Sequence, residues 1–186
     1  MIFTSDNGYQ CGHHGIWGKG NATWPLNVYE RSVKVPCIVA GPGWSPGQVS
    51  DVSCSAYDVF PTLLDFAGVE PSPVLRPGAP LPRGGSVPPG EVVVCDEYGA
   101  TRMIRFGSHK LVLRYPDGPN ELYDLDDDPE ERSNLIDDPQ RCAVRVDLRA
   151  RLEVWFDRYA SGPYDARKYE VTGRGQAASL HKQGDQ

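Results

Sequence analysis

The sequence predicts an α/β protein in two parts, on three observations. Short apolar runs closed by turn residues precede a helical stripe in the first third of the chain. A Pro/Gly-rich stretch from Glu70 to Gly90 then interrupts the pattern. Beyond it, short strand candidates separated by turn residues lead into one long amphipathic helix. The boundaries that follow are a first part over 1–90, a small antiparallel-sheet-and-helix part over 91–165, and a tail from 166 to 186 too poor in apolar residues to order itself.

Taken in order, Met1–Thr4 is apolar and β-prone and runs into Ser5-Asp6-Asn7-Gly8, a turn-forming set, so it reads as a buried strand ending in a loop. In open α/β sheets ligands bind at the carboxyl ends of strands, where Asp6 and Asn7 would stand. Residues 8–24 are dense in Gly, His and Trp, which suits a backbone that bends closely around a ligand. Val35–Ala40 reads as a sheet-core strand stopped by Gly41-Pro42-Gly43. Ser55–Ala67 reads as a helix with Val59, Leu63 and Phe66 on one face and Gly68 as its stop.

In the second part, strands are expected at Glu91–Glu97, Thr101–Phe106, Lys110–Tyr115 and Glu121–Leu125. A helix from about Pro139 to Tyr159 should cover one sheet face with Leu148, Leu152, Trp155 and Tyr159.

Composition narrows the classes of function. With 39% apolar and 24% charged residues and a net charge of −6, the chain is an ordinary mildly acidic protein with no Lys/Arg cluster to hold a nucleic acid. No run of about 18 apolar residues would make a membrane span. The five cysteines show neither C-x-x-C spacing nor alternation with histidine, so they are expected to be mostly small buried hydrophobes.

Chemistry concentrates between Thr4 and Gly20. Asp6 and Asn7 offer a carboxylate and an amide oxygen, the hard donors that Ca²⁺ or Mg²⁺ prefers, although two donors do not complete a site and the same residues also make turns. Lys19, between Gly18 and Gly20, presents an ammonium suited to an oxyanion. His13 and His14 are acid–base or hydrogen-bonding candidates, and adjacent histidines should point apart, so at most one faces a given site.

Together these features are more specific than any one of them. Phe3-Thr-Ser-Asp-Asn-Gly8, Gly12-x-His-Gly-x-Trp-Gly-Lys19, Tyr29-Glu-x-Ser-x-Lys-Val-Pro36 and Asp58-Val-Phe-Pro-Thr-Leu-Leu-Asp-Phe-Ala-Gly68 closely resemble the second half of the sulfatase catalytic domain. Arg102–Arg105, Lys110-Leu111, Glu121–Leu125, Asp128-Pro-Glu-Glu131 and Asn134-Leu135 are similar to that family's C-terminal subdomain, so the likeness spans roughly residues 1–160.

The resemblance implies the C-terminal part of an alkaline-phosphatase-like α/β sandwich and the hydrolysis of sulfate esters. It matches Asp6 and Asn7 to ligands of a divalent cation, usually Ca²⁺ with Mg²⁺ as the other option, Lys19 to the sulfate-contacting lysine, and His14 to a substrate-contacting, catalytic position. The family's nucleophile is a formylglycine made within C/S-x-P-x-R. None of Cys54, Cys95 or Cys142 has proline two residues on and arginine four on.

In the family that motif lies N-terminal of the Ser-Asp-Asn-Gly strand. The expectation is therefore a sulfatase fragment, inactive alone, short of cover on the apolar faces of Met1–Thr4 and Val35–Ala40 and poorly soluble by itself. Two alternatives stay open: a phosphonate or phosphodiester hydrolase of the same superfamily, and a non-catalytic binding module that keeps the fold. Compartment, oligomeric state and the particular sulfate ester are not readable from these residues.

Overall fold

The computed structural model describes residues 1–70, 76–83, 90–96 and 100–160. The expected tail from 166 onward, and parts of the Pro/Gly-rich stretch, lie outside the described residues.

The second part forms as its sequence pattern requires. Strands β5 (Glu91–Cys95), β6 (Thr101–Phe106), β7 (His109–Arg114) and β8 (Glu121–Asp124) make an antiparallel meander in the order β5-β6-β7-β8. Phe106 pairs with His109 across a two-residue turn, and Lys110 pairs with Tyr123, which fixes the register of the central strands.

Helix α3 (Cys142–Tyr159) crosses one face of this sheet, entered through a 3₁₀ turn at Pro139–Arg141 that Asp138 caps by accepting from the Gln140 N–H at 2.8 Å. Its buried stripe is Leu148, Leu152 and Phe156, packed on Val93, Ile104, Leu111, Leu113 and Leu122. The spacing of four selects Phe156, whereas Trp155 and Tyr159, expected on that stripe, are only partly buried and lie beside it, their rings tilted and 5.2 Å apart between centroids.

Both sheet faces are covered, which is why β6 and β7 are buried along most of their length although half of their residues are polar. Met103 and Val112 turn away from α3 and pack against Val28, with Val33 beside it. Val28 precedes and Val33 ends α1 (Glu30–Val33), a single helical turn from the first part of the chain.

Polar bonds join the same surfaces. Lys110, with its side chain at 0% exposure, places Nζ 3.1 Å from Glu30 Oε1 and 2.7 Å from Glu131 Oε1. Arg105 pairs with the other Glu30 oxygen at 2.8 Å, and the Glu30 backbone N–H donates to Glu131 Oε2 at 2.5 Å. Burial is the first cause holding the Glu131 carboxyl above its ordinary range, and the Lys110 ammonium opposes it.

The first part departs further from expectation. Strand β1 (Ile2–Phe3) pairs antiparallel with β4 (Ile38–Val39), Ile2 opposite Val39 and Phe3 opposite Ile38. This pair is not buried, since Phe3 is 58% and Ile38 53% exposed. Two strands present two faces, and among the described residues no layer covers the outer one.

Helix α2 (Val59–Ala67) follows a 3₁₀ turn at Ala56–Asp58. Ser55 and Asp58 form a reciprocal cap, with the Ser55 N–H donating to Asp58 Oδ2 at 2.7 Å, and Gly68 ends the helix in the left-handed conformation at φ 65°. The expected face is corrected in part: Leu63 is 51% exposed, and Thr62, at 1%, is the residue buried. Thr62 wins because its hydroxyl has two partners, donating to Asp58 O at 2.6 Å and accepting from the Leu81 N–H at 2.8 Å.

The cysteines also differ from expectation. Cys11, Cys37, Cys54 and Cys142 are exposed and only Cys95 is partly buried, because Cys95 alone lies in the four-stranded sheet while the others sit at or just before the ends of other elements.

Candidate functional site

The segment from Ser5 to Asn27 is a hairpin that returns on itself. Strands β2 (Gln10–Cys11) and β3 (Trp17–Gly18) pair with Gln10 opposite Gly18 and Cys11 opposite Trp17, and a 3₁₀ turn at His13–Gly15 connects them. Residues far apart in sequence on either side of the hairpin thereby meet at its open end: Lys19 Nζ donates to Asn7 Oδ1 at 3.4 Å.

Buried amides hold that end in place. Asn27 donates to the carbonyls of Lys19 at 3.4 Å and Gly20 at 3.1 Å, and its Oδ1 accepts from Ser32 Oγ at 2.6 Å. Gln10, fully buried, donates to the same Ser32 hydroxyl at 3.3 Å. The backbone around Lys19 is therefore fixed while its side chain stays exposed.

Gly8 is needed for a steric reason. Its N–H donates to Ser32 O at 2.9 Å, and a Cβ at this position would lie 2.1 Å from Arg31 O. Gly8→Ala must push the Asn7 turn away from α1, with a loss of about 1–3 kcal/mol in urea unfolding. A variant as stable as the parent chain would show that the turn and α1 do not touch as described.

Asp6 is exposed and accepts from Ser5 Oγ at 3.3 Å, while the Asn7 amide donates to Gly8 O at 2.8 Å. These are local turn bonds of the kind Asp-Asn-Gly favours, and they leave the Asp6 carboxylate facing solvent. Among the described residues, no group of three or more His, Cys, Asp or Glu side chains converges as a metal cage. The oxygen donors at this spot are those of Asp6 and Asn7.

His14 takes a left-handed backbone, φ 53°, and stacks flat on Tyr29, ring centroids 3.9 Å apart and planes within 5°. Tyr123 of β8 lies beside Tyr29 with ring centroids 6.5 Å apart, and burial, with Glu121 as the next cause, holds both phenols above their ordinary range. Both phenols thus stay protonated at neutral pH, and the histidine ring rests on a platform anchored in the four-stranded sheet. His13 and His14, expected to diverge, both line one small cleft of about 160 Å³ together with Glu130 and Arg132. The left-handed backbone of His14 breaks the turn between the two residues, so their side chains do not diverge as they would along a regular helix.

Tyr29, Tyr123, Glu130 and Arg132 were missed as site residues. The Tyr29-Glu30 and Asp128–Glu131 motifs carried a signal, but only chain folding places them beside His14.

The family model described as Sulfatase matches residues 1–69, the part that holds this hairpin. The choline-sulfatase of Rhizobium meliloti (strain 1021) is 36% identical over 137 residues, covering 69% of this chain. The chain belongs to the sulfatase family. It spans 25% of that relative's length. Among solved structures, a 2-O GAG sulfatase superposes on this sulfatase-family chain with a TM-score of 0.71 at 27% identity, over 93% of this chain and 38% of the other. The phosphonate monoester hydrolase of Agrobacterium radiobacter matches with a TM-score of 0.63 at 29% identity, over 82% of this chain and 34% of the other. The sulfatases among these neighbours have the alkaline-phosphatase-like α/β fold, and this chain shares it over the part it spans.

Proposed function

We propose that these residues form the metal-and-sulfate half of a sulfuric-ester hydrolase site. The observation that carries this reading is the meeting of Lys19 with Asn7 at the hairpin's open end, next to the exposed Asp6 carboxylate. A carboxylate and an amide oxygen are hard donors that fit a divalent cation, Ca²⁺ or Mg²⁺. When bound, the cation supplies Lewis-acid polarisation of sulfate oxygens.

In this reading Asp6 and Asn7 are ligands, and Lys19 turns from Asn7 to a sulfate oxygen, where its positive charge matches the negative charge that grows on oxygen as the ester bond breaks. His14, fixed by Tyr29, offers a ring nitrogen to the same substrate. The nucleophile is outside these residues, since no C/S-x-P-x-R sequence occurs among them, and this chain by itself does not hydrolyse the ester.

The test is calorimetric and kinetic. Ca²⁺ should bind the chain weakly, with a Kd on the order of 10⁻³ M because the ligand set is partial. Asp6→Ala should abolish that binding, whereas Lys19→Ala should keep it and lose affinity for inorganic sulfate added afterwards. Undiminished Ca²⁺ binding by Asp6→Ala would sink the ligand assignment. Turnover of 4-nitrophenyl sulfate by the chain alone, above the buffer rate, would sink the placement of the nucleophile.

A second reading is supported by the likeness to phosphonate monoester hydrolases, in which tetrahedral phosphorus would take the same contacts. A calcium-loaded chain that binds methyl phosphonate but not inorganic sulfate would favour it.

A further inference from the structure

Two walls make the cleft of about 160 Å³ that His13, His14, Glu130 and Arg132 line. One is the hairpin's 3₁₀ turn, and the other is the segment 128–132, which follows β8. Each wall carries a non-glycine residue with left-handed backbone, His14 at φ 53° and Glu131 at φ 54°, and these are the two such residues among the described ones. Backbone of this kind is costly for a side chain and persists where the surroundings hold it, commonly at ligand sites. At Glu131 the holding contacts are Lys110 and the Glu30 N–H, to which its carboxylate turns inward, and this leaves Glu130 and Arg132 at the rim.

Charge in the cleft is unbalanced. Glu130 is already bonded, its Oε1 2.8 Å from Arg31 Nη2, and that bond is the first cause holding its carboxyl below the ordinary range, with His13 and Arg132 among the further causes. Asp128, at the start of the segment, accepts from the Ser133 N–H at 2.8 Å. Arg132 is exposed and forms no salt bridge among the described residues. One carboxylate therefore faces two guanidiniums, with two imidazoles beside them, on a chain whose net charge is −6. A guanidinium left over in this way suits carboxylate or sulfate oxygens, which its paired N–H groups can bind together.

We propose that this cleft holds a second oxyanion of the ester substrate, a carboxylate or another sulfate, with Arg132 as its principal donor and His13 beside it. The assignment to the substrate rests on the sulfuric-ester reading, because His14 is common to both: it lines the cleft and is the ring offered to the sulfate. Volume sets the class of group. About 160 Å³ exceeds the roughly 30 Å³ share of one water and falls below the roughly 300 Å³ at which pockets for drug-sized molecules begin. The cleft thus takes an anionic substituent while the body of the substrate stays outside, and esters with two anionic groups are selected over those with one.

NMR of the full isotope-labelled chain, kept free of divalent cations, reads the site through the Arg132 Nε–H and the His13 ring signals. Sodium sulfate and sodium acetate, each compared with sodium chloride at equal ionic strength, should give saturable shifts, and the anion that saturates first identifies the group as sulfate or carboxylate. Arg132→Gln should weaken that binding about tenfold, the loss of one charge-assisted bond. Glu130→Gln should tighten it, and Lys19→Ala should keep it. On the calcium-loaded chain a monosaccharide disulfate should bind more tightly than its monosulfate, and Arg132→Gln should erase the difference. Shifts that only follow ionic strength, binding undiminished in Arg132→Gln, or binding no tighter in Glu130→Gln overturn the cleft as an oxyanion site. Equal binding of disulfate and monosulfate by the parent chain overturns its assignment to the substrate. Failure of the sulfuric-ester reading looks different: Lys19→Ala would bind the monosulfate as well as the parent does, while the sulfate titration of the cleft keeps its course.

Discussion

Lys110→Ala should destabilise the chain by about 3–5 kcal/mol, measured by urea unfolding near neutral pH. The ammonium it removes is fully buried and lies between Glu30 and Glu131. Those carboxylates were desolvated when the first part of the chain docked on the sheet, and neither can return to water without opening that contact. The loss therefore reflects stranded charge more than the net worth of the ion pair.

The pH dependence has a definite sign. Burial already raises Glu131 in the folded state, and Lys110 opposes that rise. A carboxyl with a raised folded value favours the fold at acid pH, and that contribution is lost as pH rises through the folded value. Deleting Lys110 raises Glu131 further, so the deficit should be widest at neutral pH and should narrow as the solution approaches about pH 5. Lys110→Met/Glu131→Gln should recover part of the loss, because Glu30 keeps Arg105. A Lys110→Ala variant within about 1 kcal/mol of the parent would show that the three side chains do not meet in a dry interior.

Leu152→Ala should cost about 2–5 kcal/mol in the same assay. Leu152 is 1% exposed and lies among residues of β5, β6, β7 and β8, where the sheet backbone cannot collapse into the space left by the lost side chain. Val154, two residues away and 66% exposed, provides the internal control, and its alanine variant should stay within about 0.5 kcal/mol. Equal losses at the two positions would mean that α3 is not docked through the Leu148–Leu152–Phe156 stripe.

Much of the second part was legible in the chain. Four strands and one helix were expected, and each lies within a residue or two of its expected limits, because hairpin turns and apolar spacing are local signals. The helix 55–67 was legible for a similar reason, since Ser55 and Gly68 mark its ends. Which side of that helix is buried was not. Leu63 and Thr62 are neighbours, and the choice between them depends on the Leu81 N–H, a donor that arrives from elsewhere in the chain.

The candidate site divides along the same line. The sulfatase family was legible in the chain alone, and Asp6, Asn7, His14 and Lys19 were legible as candidates, because such chemistry sits in short motifs with fixed spacing. Only the tertiary structure decided that Lys19 meets Asn7, that His14 lies on Tyr29, and that Glu130 and Arg132 complete the rim around it. The physical reason is that spacing along a chain records local hydrogen bonds and turns. Contacts such as Lys110 with Glu30 depend on where two separately formed surfaces exclude water together, and no short window of sequence carries that information.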